Sequence, residues 1–122
     1  MSYLFCAASW CDNPAASSFN EDISAWDTSG VTSMNNMFLR AWSFNRPIGG
    51  WRVDKVTTMF TMFGDARAFN QYLGDWAIDS VISMRRMFRD ASSFNQDIGS
   101  WAVNTVSAVS YTHLTLPTNC VV

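Results

Sequence analysis

One pattern dominates this chain: a motif that repeats every 25 residues. The segments FNEDISAWDTSGV, FNRPIGGWRVDKV, FNQYLGDWAIDSV and FNQDIGSWAVNTV begin at Phe19, Phe44, Phe69 and Phe94. Periods of roughly 20–50 residues are typical of solenoids, because one unit cannot bury its apolar side alone and stacks on its neighbours. We therefore expect residues spaced 25 apart to form columns along the molecule.

Two elements are predicted inside each unit. Ile23, Trp26 and Thr28 follow the aliphatic-x-x-apolar-x-apolar spacing of a short strand with one face turned inward. The next segment places apolar residues at i, i+3, i+4 and i+7, which is one face of a short helix. The residues on that face are Met34, Met37, Phe38 and Ala41. The pattern predicts an α/β solenoid, a right-handed coil with a short parallel β-strand and a short helix in each 25-residue repeat.

An asparagine follows the first phenylalanine of every unit, at Asn20, Asn45, Asn70 and Asn95. A single asparagine among apolar neighbours would leave polar groups unpaired, at a cost of roughly 1–3 kcal/mol. Stacked in register, the four side chains can bond to one another or to loop backbone. We expect a structural ladder here rather than a ligand site. The repeated tryptophans, methionines and phenylalanines are expected to form the core rather than an aromatic cage.

Composition narrows the class of partner. The chain of 122 residues is one domain's worth, and its net charge of −2 argues against nucleic acid or an anionic membrane. No apolar run approaches the roughly 20 residues that span a bilayer, so we expect no membrane insertion in this stretch.

No catalytic, cofactor-binding or metal-ligating constellation is recognisable, so we predict a protein that is not an enzyme and needs no cofactor. The only histidine, His113, lies in a segment of doubtful origin described below. Acidic residues do not recur at one place of the period: the fourth position reads Asp22, Pro47, Tyr72 and Asp97. That irregularity disfavours a calcium-binding β-roll.

Two smaller groups leave alternatives open. Cys6, Cys11 and Cys120 are odd in number and irregularly spaced, so Cys6 and Cys11 are expected to be small thiols, with a local disulfide as the less favourable option. Three arginines cluster in residues 85–89 of a single unit. A solvated surface is the expected interpretation, and contact with an anionic partner is the alternative.

The combination FNxDIxxWDxSxVTxMxxMFxxA closely resembles the repeat of BspA-type leucine-rich-repeat surface proteins. The resemblance covers residues 19–106. It implies a leucine-rich-repeat-like fold, a secreted or cell-surface location, adhesion or protein–protein contact as the role, and other repeats of a longer parent chain as neighbours. Pro47 and Tyr72 depart from the usual acidic residue, and Gly49, Gly74 and Gly99 from the usual serine. The family brings no catalytic residues.

Both ends depart from the repeat. MSYLFCAA matches the second half of a unit, so residues 1–18 are either a partial repeat behind an internal methionine or an N-terminal cap. At the other end, VSYTHLTLPT resembles a translated sequencing-library adapter, and no function is assigned to His113, Pro117 or Cys120. The predicted divisions are a partial repeat or cap at 1–18, repeats at 19–43, 44–68 and 69–93, a partial repeat at 94–108, and a non-native tail at 109–122.

Function is therefore expected at exposed positions beside the predicted strand, where variable residues sit on an invariant frame. The candidates are Asp27, Ser29, Arg52, Asp54, Asp75, Asp79 and Asn104. Their partner would be an unknown protein or a surface glycan. The alternative is a structural spacer without a specific ligand. In that case these side chains would only keep the surface soluble.

Overall fold

The computed structural model describes residues 14–101, together with Leu4, Cys6, Cys11 and the backbone of Ala108–Val109. Regular secondary structure in this part of the chain is limited to a 3₁₀-helix, Pro14–Ser18, and two strands, β1 (Ser83–Met84) and β2 (Ala108–Val109). The strands pair in parallel, with Ser83 opposite Ala108 and Met84 opposite Val109. All other described residues lie in turns, bends, single bridges or irregular loops.

The predicted α/β solenoid is wrong. Within the described ranges there is no α-helix, and the two strands are two residues long each. Residues 23–28, predicted as the leucine-rich-repeat-like strand, contain only a turn and irregular loop. Parallel pairing occurs instead further along the unit, in single bridges from Ser33 to Thr58 and from Thr58 to Ser83.

Backbone geometry explains why the predicted helix does not form. Residues 35–40 are a run of turns in which Asn36 and Arg40 have φ values of 57° and 59°. A right-handed helix needs negative φ at every residue, so these two positions interrupt it. The same positions of the next two units also have positive φ; they are Thr61, Asp65, Arg86 and Asp90.

Alternate backbone N–H groups of these turns bond to the next unit instead of to their own. Asn36, Phe38 and Arg40 donate to the carbonyls of residues 60, 62 and 64, each at 2.8 Å. The intervening N–H groups close turns within the unit, such as Met37 to the carbonyl of Met34 at 3.3 Å. The i, i+3, i+4, i+7 spacing fits the run of turns as well as a helix, because both conformations turn the same side chains inward. Consecutive units are therefore tied together by a ladder of main-chain bonds.

The core is a set of columns that run from unit to unit. The predicted inward positions at Met34, Met37, Phe38 and Ala41 are confirmed as buried, as are their counterparts in the following units. Phenylalanine rings stack within each column: Phe38 on Phe63 at 5.4 Å between ring centroids, and Phe63 on Phe88 at 5.6 Å. Neighbouring columns also touch, with Phe63 and Phe69 centred 4.2 Å apart. Such offset pairs stabilise the stack beyond simple burial.

The tryptophan column is buried except in the first described unit. Trp51, Trp76 and Trp101 are at most 7% exposed, whereas Trp26 is 42% exposed. The indole Nε1 of Trp51 donates to the carbonyl of Ile23 at 3.0 Å, and this bond recurs for Trp76 and Trp101. Each buried tryptophan thus pairs its only polar atom with the preceding unit.

Candidate functional site

The structure places the predicted interaction residues on the surface of three successive units. Asp27, Arg52, Asp75 and Asp79 are exposed, and Ser29 and Asp54 are half-buried. Asn104, the seventh candidate, lies outside the described residues. We refer to the six described residues as the acidic face, since four aspartates stand beside one arginine: Asp27, Ser29, Arg52, Asp54, Asp75 and Asp79.

Hydrogen bonds between units hold the backbone of the acidic face. The hydroxyl of Thr28 donates to the carbonyl of Arg52 at 2.8 Å. One unit later, the Ser80 hydroxyl donates to the carbonyl of Asp54 at 2.7 Å. Thr28 is buried, and its equivalents Val53 and Ile78 are buried core residues. The backbone that carries Arg52 and Asp54 is therefore hydrogen-bonded both to the preceding unit and to the following one.

Local hydrogen bonds keep the carboxylate of Asp27 ionised. The side-chain hydroxyl and the backbone N–H of Ser29 both donate to Asp27 Oδ1, at 2.6 and 3.0 Å. These bonds lower the pKa of Asp27 below its ordinary value of 3.8, and the positive charge of Arg52 lowers it further. Ser24 lowers the pKa of Asp22 in the same manner. Both carboxylates therefore stay charged to a lower pH than an ordinary aspartate does.

A shallow depression of about 500 Å³ lies in the middle of the acidic face. Arg52, Asp54 and Asp75 line it, and Gly49 and Gly50 form part of its wall. Arg52 and Asp54 form an ion pair at 3.4 Å, but their side chains are 69% and 40% exposed, so the pair contributes little to stability. These charges remain accessible to a partner.

The four repeated asparagines lie one above another on the surface. The backbone N–H groups of Asn45, Asn70 and Asn95 each donate to the side-chain oxygen of the preceding asparagine at 2.9 Å. The side chains are exposed, whereas we expected apolar surroundings. Gln71 adds a bond from its Nε2 to the side-chain oxygen of Asn45 at 3.0 Å. The asparagine oxygens are thus occupied in joining units.

The structure differs from the sequence-based expectation at two features, of which the first was considered only as the less favourable alternative. Cys6 and Cys11 form a disulfide with their Cα atoms 5.9 Å apart, so the expectation of two thiols is wrong. Cys6 is fully buried and packs with Leu39 of the first complete unit. The second feature is a cleft around Gly64, whose only sequence signal was the arginine cluster at 85–89.

Among the described residues, no three His, Cys, Asp or Glu side chains are grouped so that they could hold a metal ion. No helix in the described part of the chain is long and apolar enough to cross a bilayer. His113 lies outside the described residues.

Comparison with known proteins gives one match. The sequence profile of the family described as Mycoplasma protein of unknown function, DUF285, matches residues 1–116. No curated protein and no solved structure matches the chain. The matched range includes residues 109–116 of the segment that we interpreted as a non-native tail, and that interpretation stays a prediction.

Proposed function

This chain belongs to the DUF285 family, and we propose that it is a non-enzymatic interaction module that binds a partner protein through the acidic face. The observation that carries the proposal is the combination of a fixed backbone and varied exposed charges across three units. Recognition needs such an arrangement, because side chains on a rigid support lose little conformational freedom on binding.

Charge defines the kind of partner. Asp27, Asp54, Asp75 and Asp79 outnumber Arg52 on the face, so a segment rich in lysine or arginine would be attracted. The depression between Asp54 and Asp75 gives one basic side chain a place to dock. The face is open rather than enclosed, which suits an extended protein segment better than a small molecule.

We also propose that the protein works outside the cell or at its surface, in line with the resemblance of its repeat to BspA-type proteins. The disulfide between Cys6 and Cys11 supports this location. Disulfides form and persist in oxidising compartments and are rare in the cytosol.

A structural spacer remains the second candidate. The continuous stacks of Phe38, Phe63 and Phe88 and the ladder of main-chain bonds favour it, because they join units without requiring any ligand. In that case the charged residues of the acidic face would serve only to keep the surface solvated.

Binding measurements on matched variants separate the two candidates. The chain is screened against arrays of basic peptides, neutral peptides and glycans, and each ligand found is then tested against Asp75→Asn/Asp79→Asn. The control is Glu21→Gln, an exposed acid outside the face. We expect basic peptides to bind and the double variant to weaken them about tenfold, roughly 1.4 kcal/mol. The proposal would be contradicted if the basic peptides bound the double variant as tightly as the native chain, or if only glycans bound.

A further inference from the structure

A second cleft, separate from the acidic face, opens on the turns of residues 35–40, 60–65 and 85–90. Its volume is about 320 Å³, at the small end of the range for ligand pockets. We call it the arginine cleft, since three arginines and two aspartates line it: Arg40, Arg86, Arg89, Asp65 and Asp90. We propose that this cleft binds an acidic segment of a partner protein, taking a carboxylate side chain together with an adjoining apolar one.

The lining of the cleft includes Gly64, which stands where the neighbouring units carry large side chains. The equivalent positions are Leu39 one unit before and Arg89 one unit after. Gly64 is buried, and a Cβ there would meet the methyl group of Thr61 and the side chain of Leu39. The space beside Gly64 is therefore filled by these neighbours, and the lining of the cleft combines the buried aliphatic side chain of Leu39 with the exposed cationic side chain of Arg89.

Charge favours a carboxylate in the arginine cleft. The three arginines exceed the two aspartates by one positive charge, and Arg67 adds a fourth guanidinium, 2.8 Å from Asp65. Arg40 also lies 3.7 Å from Asp65, so two arginines share that aspartate. The pair between Arg89 and Asp90 is 3.8 Å long with both side chains at least half exposed, so it is weak. A guanidinium can donate two parallel hydrogen bonds to one carboxylate.

The floor of the arginine cleft is apolar, and this decides between classes of anion. Leu39, Phe60 and Gly64 contribute the apolar part of the lining. The phosphate backbone of a nucleic acid has no aliphatic side chain to place on that floor. An acidic peptide that alternates carboxylate and aliphatic side chains can place the carboxylates against the arginines and the aliphatic side chains on the apolar floor.

Fluorescence anisotropy of a labelled probe tests the proposal on the whole chain. The probe is a fluorescein-labelled octapeptide in which Glu alternates with Leu and Phe, and the control replaces every Glu by Gln. We expect the acidic probe to bind at least tenfold more tightly, and its affinity to fall several-fold between low and high salt. Equal binding of the two peptides, or tighter binding of a single-stranded oligonucleotide of similar length, would overturn the proposal.

Variants then locate the binding. Arg86→Gln/Arg89→Gln removes two charges while keeping polar side chains, and we expect it to weaken binding of the acidic probe about tenfold. Arg46→Gln, at an exposed position that lines neither the arginine cleft nor the acidic face, is the control and should leave this affinity unchanged. Thermal melting verifies that each variant is folded. An unchanged affinity in the double variant would sink the proposal without affecting the function proposed for the acidic face.

One measurement does not depend on any substitution. Amide signals of Thr61 and Gly64 in the native chain are followed by NMR as the acidic probe is added. We expect these signals to shift, because both residues line the cleft, while the amide of Asp75 on the acidic face stays in place. Shifts confined to the acidic face would place the peptide elsewhere and contradict the assignment.

Discussion

At the scale of single residues, backbone conformation is the feature that most distinguishes this chain. Six non-glycine residues in the described part have φ between 52° and 59°, a region that few residues other than glycine, asparagine and aspartate occupy readily. Asn36, Asp65 and Asp90 suit it, since their short polar side chains tolerate it best. Thr61 does not, because its branched Cβ crowds the following carbonyl at a φ of 52°.

Replacing Thr61 by asparagine should therefore stabilise the protein. Asparagine already occupies the equivalent position 36 at a φ of 57°, so the backbone needs no change. We expect the free energy of unfolding to rise by about 1 kcal/mol, which is the approximate strain of a branched residue in this region. Urea denaturation measures the change. Thr32→Asn, at an exposed position without positive φ, is the control and should be nearly neutral; equal effects of the two would show that φ at Thr61 is not the cause.

At the scale of elements, tight turns replace the helices and strands that the repeat suggested. Successive units pack closely on one another. Where the backbones of two units come closest, there is no space for a side chain. Gly49 is such a position: a Cβ built on it would lie 2.7 Å from the carbonyl oxygen of Tyr72. A Cβ built on the neighbouring Gly50 would have no other atom within 4 Å.

The two glycines of this turn make a matched pair of substitutions. Gly49→Ala should lower the free energy of unfolding by about 1–3 kcal/mol, because the new methyl group forces the unit of Tyr72 away. Gly50→Ala should be neutral or raise stability by up to about 1 kcal/mol, because it restricts the unfolded chain and meets no neighbour. Thermal melting of both variants checks the contrast. A loss as large at Gly50 as at Gly49 would mean that backbone freedom, rather than close packing, requires glycine here.

At the scale of the whole molecule, stability comes from contacts between units. Phe69 is fully buried between Phe44 and Phe94, with ring centroids 5.9 and 6.0 Å away. Phe19, in the first complete unit, stacks on Phe44 at 5.8 Å but is only half-buried. Position within the stack therefore determines how much apolar area each equivalent ring removes from water.

A pair of truncations tests this dependence on position. Phe69→Ala should cost about 3–5 kcal/mol, a large share of the roughly 5–15 kcal/mol that stabilises a typical domain. Phe19→Ala should cost about half as much, since part of that ring already contacts solvent. Urea denaturation of both variants gives the two values. Equal costs, or a cost below about 1 kcal/mol at Phe69, would show that the stacked column does not carry the stability of the molecule.

The sequence by itself determined which side chains are inside. The positions of Met34, Met37 and Phe38 and their counterparts were predictable because burial follows from apolar side chains that recur at a constant period. The surface location of Asp27, Arg52, Asp75 and Asp79 was predictable for the converse reason. Neither prediction required knowledge of the backbone conformation.

Only the tertiary structure decided how the backbone brings those side chains inward. A helix and a run of turns both place residues 34, 37, 38 and 41 on one side, so apolar spacing cannot distinguish them. The turns form because the N–H groups of Asn36, Phe38 and Arg40 find carbonyl partners in the next unit, and such partners exist only after the units stack. The arginine cleft has the same origin: Leu39, Gly64 and Arg89 belong to three different units and line one cleft only after those units stack.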